Sequence, residues 1–304
     1  MKQKSWFGRN YPFFIVGVVL VGGTYFILKR LLKGGLVSNK KLILAHCGAW
    51  DGQYGKKCCN LLSNIEMNIR SGTDIIEIDI QITKDGIPVL FHDDTLDAQT
   101  NSSGKIQNKN WSEVKTIAYK NCNETIPSLE QVVGLMKKFG GRNMLQLDKC
   151  SDSEWAVILR SGIIKGLEER TIAKGTQFKP YSSLAGSKVM WMPILPTKYV
   201  GKMTDESTLN EIVANLKESQ FCELQFSLKD TLLLNGTLAR KCKEIGCKLV
   251  GIAVTGSKDT NPNYVSGSGW GDNAKSWAKY FNEIGCGAVM TNYPNAIKQV
   301  INAS

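Results

Sequence analysis

Short runs of apolar and β-branched residues alternate along most of the chain with stretches whose apolar residues recur every three or four positions. The first pattern is typical of buried strands and the second of amphipathic helices. The strand-like runs are residues 42–45, 75–80, 87–91, 144–148, 170–173, 189–194, 222–227, 249–254 and 287–290. The helix-like stretches are residues 60–70, 129–138, 152–165, 207–218, 232–244 and 273–284. This alternation predicts an α/β fold with a parallel sheet.

The number of strand-like runs indicates the architecture. Eight or nine strands suit a closed (β/α)8 TIM-type barrel better than most open sheets. Residues 75–92 depart from the alternation, because TKDG joins two runs too tightly for a helix and favours an antiparallel hairpin or an irregular crossover. A doubly wound sheet is the alternative, although no G-x-G-x-x-G or P-loop pattern opens a helix.

An uncharged segment near the N-terminus, residues 10–28, is long enough to cross a membrane. As a helix it would span about 28 Å, close to the thickness of a bilayer core. We interpret it as a single transmembrane helix; the alternative is a cleaved signal peptide, whose apolar run is usually shorter. The predicted domains are a short basic tail (1–9), the transmembrane helix (10–28), a basic linker (29–41) and a barrel domain (42–304).

The net charge of +11 belongs mainly to this N-terminal region. Residues 1–41 contain eight lysines and arginines and no acid, which leaves +3 for the rest of the chain. The predicted barrel is therefore nearly neutral, and we expect no nucleic-acid partner. Basic residues beside a membrane helix fit contacts with anionic headgroups instead.

The cysteines and glycosylation motifs bear on the cellular compartment. Nine cysteines without C-x-x-C spacing predict neither a full disulfide framework nor a zinc site. N-x-S/T sequons occur at Asn101, Asn110, Asn123, Asn235 and Asn302. The side of the membrane stays open, with an extracytoplasmic or lumenal barrel preferred.

An acidic pair lies in the strand-like run 75–80. Because side chains two residues apart share one face of a strand, Glu77 and Asp79 point the same way. Two carboxylates side by side inside a barrel repel each other, and a divalent cation with hard oxygen ligands, Mg²⁺ or Ca²⁺, would relieve that repulsion. The alternative is a solvated face.

The chain has only two histidines, and both follow strand-like runs. His46 follows LILA, and His92 follows PVLF. Barrel enzymes assemble their sites at the C-terminal ends of strands. Two histidines beside a metal suit acid–base catalysis on a phosphodiester, with one activating the nucleophile and the other protonating the leaving alkoxide.

These motifs together resemble the glycerophosphodiester phosphodiesterase family. The order AHCG, GTDIIEIDIQITKDGIPVLFHDDTLDAQT and IPSLEQVV is similar to that family's H-R-G, E-x-D, TKDG-P-V, H-D and I-P-T-L-E-E motifs, and GCGAVMTNYP (285–294) is similar to its late G-D-G-I-x-T-D-Y-P motif. The likeness covers roughly residues 42–296. It implies a TIM-type barrel with a short insertion.

The resemblance also implies roles for individual residues. His46 and His92 become the acid–base pair, and Glu77 and Asp79 become metal ligands. The third ligand belongs to an E-x-K pattern, for which Asp148 is the best match, with Cys150 where lysine is expected and Gln146 on the same face as Asp148. Lys84, Lys149 and, more weakly, Asn60 are the candidate substrate-binding residues.

Three positions depart from the family pattern. Cys47 stands where the family has a phosphate-binding arginine, and as a free cysteine it would supply no fixed positive charge. Cys59 replaces the glutamate of P-E-N-T, and AVTG (253–256) lacks the tryptophan of W-T-V-N. These changes indicate a divergent substrate, or a barrel that binds without turnover.

The expected function is a membrane-anchored, metal-dependent phosphodiesterase that hydrolyses glycerophosphodiesters or lysophospholipids to an alcohol and a glycerol phosphate. One alternative is a phospholipase of the same barrel type that acts on other phospholipids. The other is a catalytically impaired barrel that serves as a binding or interaction module.

Overall fold

The computed structural model describes residues 40–50, 59–225, 236–253 and 270–302. The strands in these residues are β1 (Leu42–Ala45), β2 (Ile75–Ile82), β3 (Pro88–Leu90), β4 (Met144–Asp148), β5 (Thr171–Gly175), β6 (Met190–Pro193), β7 (Phe221–Leu224), β8 (Lys248–Ala253) and β9 (Ala288–Thr291). The helices are α1 (Leu62–Ser71), α2 (Trp111–Val114), α3 (Leu129–Phe139), α4 (Asp152–Ser161), α5 (Glu206–Asn215), α6 (Gly236–Glu244), α7 (Trp270–Glu283) and α8 (Pro294–Asn302).

Eight of the strands form a closed parallel barrel. Their order is β6-β5-β4-β2-β1-β9-β8-β7, and β3 pairs only with β2. The two end strands of this order, β6 and β7, meet through a parallel bridge between Ile194 and Glu223. The N–H of Leu195 donates to the carbonyl of Glu223 at 2.9 Å, which completes the circle. The predicted TIM-type barrel is confirmed.

Strand alternation divides the apolar side chains between two layers. Leu44 and Ile75 belong to a cluster that fills the barrel interior with Ile172, Phe221 and Met290. The alternate residues of β2, Ile76, Ile78 and Ile80, pack outward against residues of α1, α3 and α4. Since successive side chains of a strand point to opposite faces, each strand contributes to both layers.

The hairpin that interrupts the βα alternation is antiparallel, as predicted. Ile80 pairs with Leu90 and Ile82 with Pro88, so β2 continues beyond the barrel before the chain turns back. The residues that follow, up to α3, form the insertion that packs around Phe91, Val114 and Ile126. The hairpin therefore returns the chain to the mouth of the barrel.

The helix ends follow local capping chemistry. At the start of α3 the N–H of Ser128 donates to Gln131 Oε1 at 2.8 Å, while Ser128 Oγ accepts from the Gln131 N–H at 3.3 Å. The predicted helix 152–165 ends earlier, at Ser161, because Gly162 adopts a left-handed conformation with φ 69°.

Parts of several predictions fall outside the described residues. The predicted tail, membrane helix and most of the linker lie within residues 1–39. The start of the predicted helix 232–244 also precedes Gly236. Within the part of the chain that the structure describes, no helix has both the length and the apolar character needed to cross a bilayer.

Two glycine substitutions test the packing of helices on the barrel. A Cβ on Gly251 of β8 would lie 2.2 Å from Cγ of Phe281, whose ring packs flat on that strand. We expect Gly251→Ala to lower the free energy of unfolding by about 1–3 kcal/mol, because the ring must shift. Chemical denaturation of the purified variant measures this change.

The control is Gly134→Ala on the exposed side of α3, where an added Cβ would have no neighbour within 4 Å. Alanine should stabilise this helix by about 0.5–1 kcal/mol. Equal effects of the two substitutions would contradict the packing of Phe281 on Gly251.

Candidate active site

The interior of the barrel changes from apolar to polar toward the C-terminal ends of its strands. In β2, Glu77 follows the interior residue Ile75 at the next inward position. In β5, Lys174 follows Ile172, and in β7, Glu223 follows Phe221. Inward positions two residues apart share one face, so the strands themselves build this polar layer.

Three carboxylates gather in this layer, as the sequence predicted for the metal ligands. Glu77, Asp79 and Asp148 each have an oxygen within 4.8 Å of the others. The register between β2 and β4 explains the cluster, because Asp79 and Asp148 are direct partners across the parallel ladder. Burial, together with the charges of Asp79 and Asp148, raises the pKa of Glu77 well above its ordinary value.

The residues of this cluster fit a divalent cation. Hard oxygen ligands are what Mg²⁺ and Ca²⁺ take, and a cation would relieve the repulsion that raises the pKa of Glu77. Gln146, the partner of Glu77 in the ladder, is completely buried on the same side. Both polar atoms of its amide lack a hydrogen bond to any residue that the structure describes. A buried amide normally has partners, so the amide of Gln146 is available to a further polar ligand.

Backbone and amide groups hold the two acids of β2. The N–H of Cys47 donates to Glu77 Oε2. Asn60 makes a two-way contact with Asp79: its Nδ2 donates to Asp79 Oδ2 at 3.0 Å, and its Oδ1 accepts from the Asp79 N–H at 3.0 Å. Asn60, predicted as a substrate-binding residue, thus orients a carboxylate of the cluster.

Two of the departures from the family pattern are the two ends of one disulfide, between Cys47 and Cys59. The expectation of a free Cys47 is therefore wrong, and the bond fixes the turn after His46 to the residue before Asn60. Cys122 is also disulfide-bonded, whereas the five other cysteines in the described residues are buried and form no disulfide. The spacing of Cys47 and Cys59 matches no common disulfide motif, so the sequence did not reveal this link.

A buried lysine joins the acid cluster to a fourth acid. Lys174 Nζ lies 2.8 Å from Asp148 Oδ2 and 3.0 Å from Glu223 Oε1. Burial lowers the pKa of Lys174, but the charges of Glu223, Asp148 and Glu77 outweigh burial and the net pKa is raised. Burial also raises the pKa of Glu223, although Lys174 opposes this rise.

His46 lies directly after β1 and is anchored from the end of β9. Its Nδ1 is 2.9 Å from Asn292 Oδ1, so Nδ1 carries the proton of the neutral ring and Nε2 is free to accept one. Burial lowers the pKa of His46, against the opposing effects of Asn292 and Asp79. Lys174 and His92 lower this pKa further, and their influence places both residues in the electrostatic environment of His46.

His92 follows β3, the antiparallel strand, rather than a strand of the barrel. The hairpin nevertheless returns it to the mouth, where the N–H of Phe91 donates to the carbonyl of Asp79 at 3.1 Å. His92 Nδ1 lies 2.8 Å from Asp93 Oδ1. Burial raises the pKa of Asp93, but hydrogen bonds from His92 and Gln99 outweigh it and leave the pKa lowered.

The other two predicted substrate-binding residues have different positions. Lys149, next to Asp148, lies at the mouth, and its Nζ donates to the carbonyl of His92. Lys84 is exposed in the hairpin turn, with its N–H bound to the carbonyl of Lys109. Five residues of extended chain separate Lys84 from Asp79, about 16 Å at 3.3 Å per residue. The structure does not bring Lys84 to the acid cluster.

Sequence reasoning missed several residues that build the site. Gln81, two positions after Asp79, donates through Nε2 to the carbonyls of Phe91 and Asp93 at 3.2 and 2.6 Å and so holds the His92 segment. Asn292 lies in the TNYP motif, where a partner for His46 could have been sought. Lys174 and Glu223 belong to no motif: pairing of β4 with β5 brings Lys174 to Asp148, and closure of the barrel brings Glu223 to Lys174.

Comparison with known proteins confirms the family resemblance found in the sequence. The model of the glycerophosphoryl diester phosphodiesterase family matches residues 60–150. A glycerophosphodiester phosphodiesterase of Caldanaerobacter subterraneus is 30% identical over 141 residues, which are 44% of this chain and 51% of that protein. Human glycerophosphodiester phosphodiesterase 1 is 34% identical over 58 residues, 19% of this chain and 18% of that protein. This chain thus aligns with about half the length of the bacterial relative, and with less of the human one.

Solved structures resemble the fold over most of the chain. A glycerophosphoryl diester phosphodiesterase of Parabacteroides distasonis superposes with a TM-score of 0.62 at 19% identity, covering 88% of this chain and 90% of that one. An Oleispira antarctica phosphodiesterase, solved with its product sn-glycerol-3-phosphate, superposes with a TM-score of 0.59 at 20% identity, covering 88% and 99%. At these identities the likeness establishes the barrel fold.

Removing one charge from the acid cluster tests its affinity for a cation. We expect millimolar Mg²⁺ or Ca²⁺ to raise the melting temperature of the wild-type protein, because a ligand of the folded state stabilises it. Asp79→Asn should lose most of this rise and at least tenfold in cation affinity, measured by calorimetric titration. The control is Glu130→Gln, an exposed acid of α3 outside the cluster. An unchanged response of Asp79→Asn would contradict the assignment.

Removing the disulfide tests its support of the cluster. We expect the double variant Cys47→Ala/Cys59→Ala to lose about 2–4 kcal/mol of unfolding free energy and to bind Mg²⁺ more weakly, since the backbone at 47 and the neighbour of Cys59 hold Glu77 and Asp79. Denaturation and calorimetric titration measure the two effects.

The matched control is Cys242→Ala, which removes a free, buried thiol of α6. It should lower stability through lost packing and leave the Mg²⁺ affinity unchanged. Equal cation affinities for the wild type and the disulfide variant would mean that the bond stabilises the chain without shaping the site.

Proposed function

We propose that the protein is a divalent-cation-dependent phosphodiesterase that hydrolyses glycerophosphodiesters to an alcohol and a glycerol phosphate. The observation that carries this proposal is the cluster of Glu77, Asp79 and Asp148, with His46 and His92 held at the same mouth of the barrel. The family match over residues 60–150 supports the reaction class. The product named for the Oleispira antarctica structure suggests glycerol phosphate as the product here.

The two histidines have complementary surroundings. His46 is bound through Nδ1 to the neutral amide of Asn292, which leaves Nε2 free to take a proton from the attacking nucleophile. His92 is bound through Nδ1 to the carboxylate of Asp93, which orients the ring at the mouth of the barrel. We therefore assign His46 as the general base and His92 as the general acid that protonates the leaving alkoxide.

The acids supply a site for the cation that this chemistry needs. Glu77, Asp79 and Asp148 would hold Mg²⁺ or Ca²⁺, which would neutralise phosphate charge and polarise the phosphorus. Asn60 and the backbone of Cys47 orient these ligands. Gln81 holds the segment that carries His92. The chain thus places proton-transfer groups and cation ligands on separate but connected elements.

The substrate class extends to lipids if the N-terminal segment acts as an anchor. A helix over residues 10–28 would hold the barrel beside a membrane, where lysophospholipids as well as glycerophosphodiesters are available. Disulfides persist mainly in oxidising compartments, and the Cys47–Cys59 bond therefore favours an extracytoplasmic or lumenal barrel.

Hydrolysis of glycerophosphocholine tests the proposed reaction. The wild-type protein should release glycerol phosphate with Mg²⁺ or Ca²⁺ and lose this activity with a chelator. His46→Ala and His92→Ala should each lower kcat by about 10²–10⁴-fold, the usual contribution of an acid–base group. Gly134→Ala is a control that leaves the site intact. Failure of the wild type to hydrolyse any diester or lysophospholipid, with either cation, would favour the alternative of a binding module.

Glycosylation tests the compartment. Asn101, Asn110 and Asn123 are exposed sequon residues of the barrel domain. If the barrel is translocated in a eukaryotic cell, the full chain should shift in apparent mass on endoglycosidase treatment, and Asn→Gln at all three should remove most of the shift. A protein that stays fully reduced and unglycosylated in the membrane fraction would contradict a lumenal barrel.

A further inference from the structure

A lysine in the interior of the barrel needs an explanation, because lysine is rarely buried there without a partner. Lys174 is only 6% exposed and follows the apolar residue Ile172 on the inward face of β5. Replacing a buried ion pair by apolar residues is often neutral or stabilising. Fold stability alone therefore does not account for an ammonium group at this position.

Burying Glu223, the partner of Lys174, also costs free energy. Glu223 is completely buried, and its closest charged contact in the described residues is the 3.0 Å pair with Lys174. Together the two side chains are neutral. The negative charge that attracts a cation comes from Glu77, Asp79 and Asp148, so the cation site does not need the Lys174–Glu223 pair.

The geometry leaves one donor of the lysine available. An ammonium group has three N–H donors. One points to Asp148 and one lies next to Glu223, and no third acceptor is present among the residues that the structure describes. Glu223 is thus a second acid that holds the amine next to the cluster.

The amine of Lys174 also lies next to the place where an anion would bind to the cation. Asp148 contacts Lys174 and belongs to the cluster that would bind the cation, so an anion bound to that cation lies beside the amine. Two positions where the resembled family has a basic residue are uncharged here: Cys47 is in a disulfide, and Cys150 is buried and free. In the described part of the chain, Lys174 is the basic side chain that contacts an acid of the cluster.

We propose that Lys174 binds the phosphate group of the substrate, and that Glu223 is the positioning residue that holds its amine. This inference rests on the proposed function for the identity of the substrate, but the anion site can be measured without turnover. The β5 lysine then supplies the positive charge that is absent at residues 47 and 150. Its ligand is a phosphate monoester or diester oxygen bound next to the divalent cation.

Calorimetric titration with inorganic phosphate, at saturating Mg²⁺, tests the site directly. We expect Lys174→Met to lose at least tenfold in phosphate affinity and Lys174→Arg to recover part of it. A titration with Mg²⁺ alone should show equal or tighter binding to Lys174→Met, because removing a positive charge favours the cation. The matched control is Lys188→Met, an exposed lysine paired with Glu169, with both affinities unchanged.

Lys174→Met leaves Glu223 buried without its partner, so a second variant guards against misfolding. Lys174→Met/Glu223→Gln removes the pair as a neutral unit and should fold, bind Mg²⁺ and still lose phosphate affinity. Wild-type phosphate affinity in this variant would overturn the proposal, as would a wild-type protein that binds no phosphate with Mg²⁺ present. Parallel losses of Mg²⁺ and phosphate affinity would also overturn it, since they indicate a structural role.

Turnover separates this inference from the proposed function. If the wild type hydrolyses glycerophosphocholine and Lys174→Met does so with unchanged KM and kcat, the inference fails and the proposed function stands. If the wild type hydrolyses no diester but phosphate affinity depends on Lys174, the proposed function fails and the anion site stands.

Discussion

Repulsion between carboxylates inside a barrel of low dielectric is the constraint on which the rest of this site depends. Glu77, Asp79 and Asp148 share a space in which their oxygens lie within 4.8 Å of one another, and burial together with the charges of the other two acids raises the pKa of Glu77. Such a cluster persists only if neighbouring groups hold it and a counter-charge relieves it. The N–H of Cys47 and the amide of Asn60 hold the carboxylates in place, and the ammonium of Lys174 provides part of the counter-charge.

The acids, their counter-charge and the residue that holds it come from strands that are distant in sequence. The acids come from adjacent strands, β2 and β4, whose parallel register aligns Asp79 with Asp148. The counter-charge comes from β5, and its anchor comes from β7, which is separated from β5 by β6. The histidines come from outside the strands, one after β1 and one at the end of the returning hairpin. No single segment contains the chemistry: the adjacent strands β1, β2, β4, β5 and β9 bring most of it together, and closure through β6 and β7 adds Glu223.

Local patterns predicted the parts of the site that local geometry determines. The period of two in β2 placed Glu77 and Asp79 on one face, and strand counting gave the barrel. Asp148 followed from the family resemblance, as the best match to the E-x-K pattern. Lys174 and Glu223 could not be predicted, because each looks like an ordinary charged residue until the barrel closes around it. Lys84 lies outside the acid cluster because β2 runs on past the mouth, a length that the tight TKDG turn does not reveal. The free Cys47 was wrong because a covalent partner leaves no trace in periodicity.

The Cys47–Cys59 bond also couples the evolution of the two cysteine positions. A substitution at Cys59 alone would leave an unpaired sulfur on Cys47, 3.3 Å from Asp79 Oδ2. An intermediate with only one of the two cysteines therefore lacks the covalent link and carries an unpaired thiol. Among descendants of this sequence, the two cysteines should be kept or lost together, and a lineage that leaves the oxidising environment should replace both.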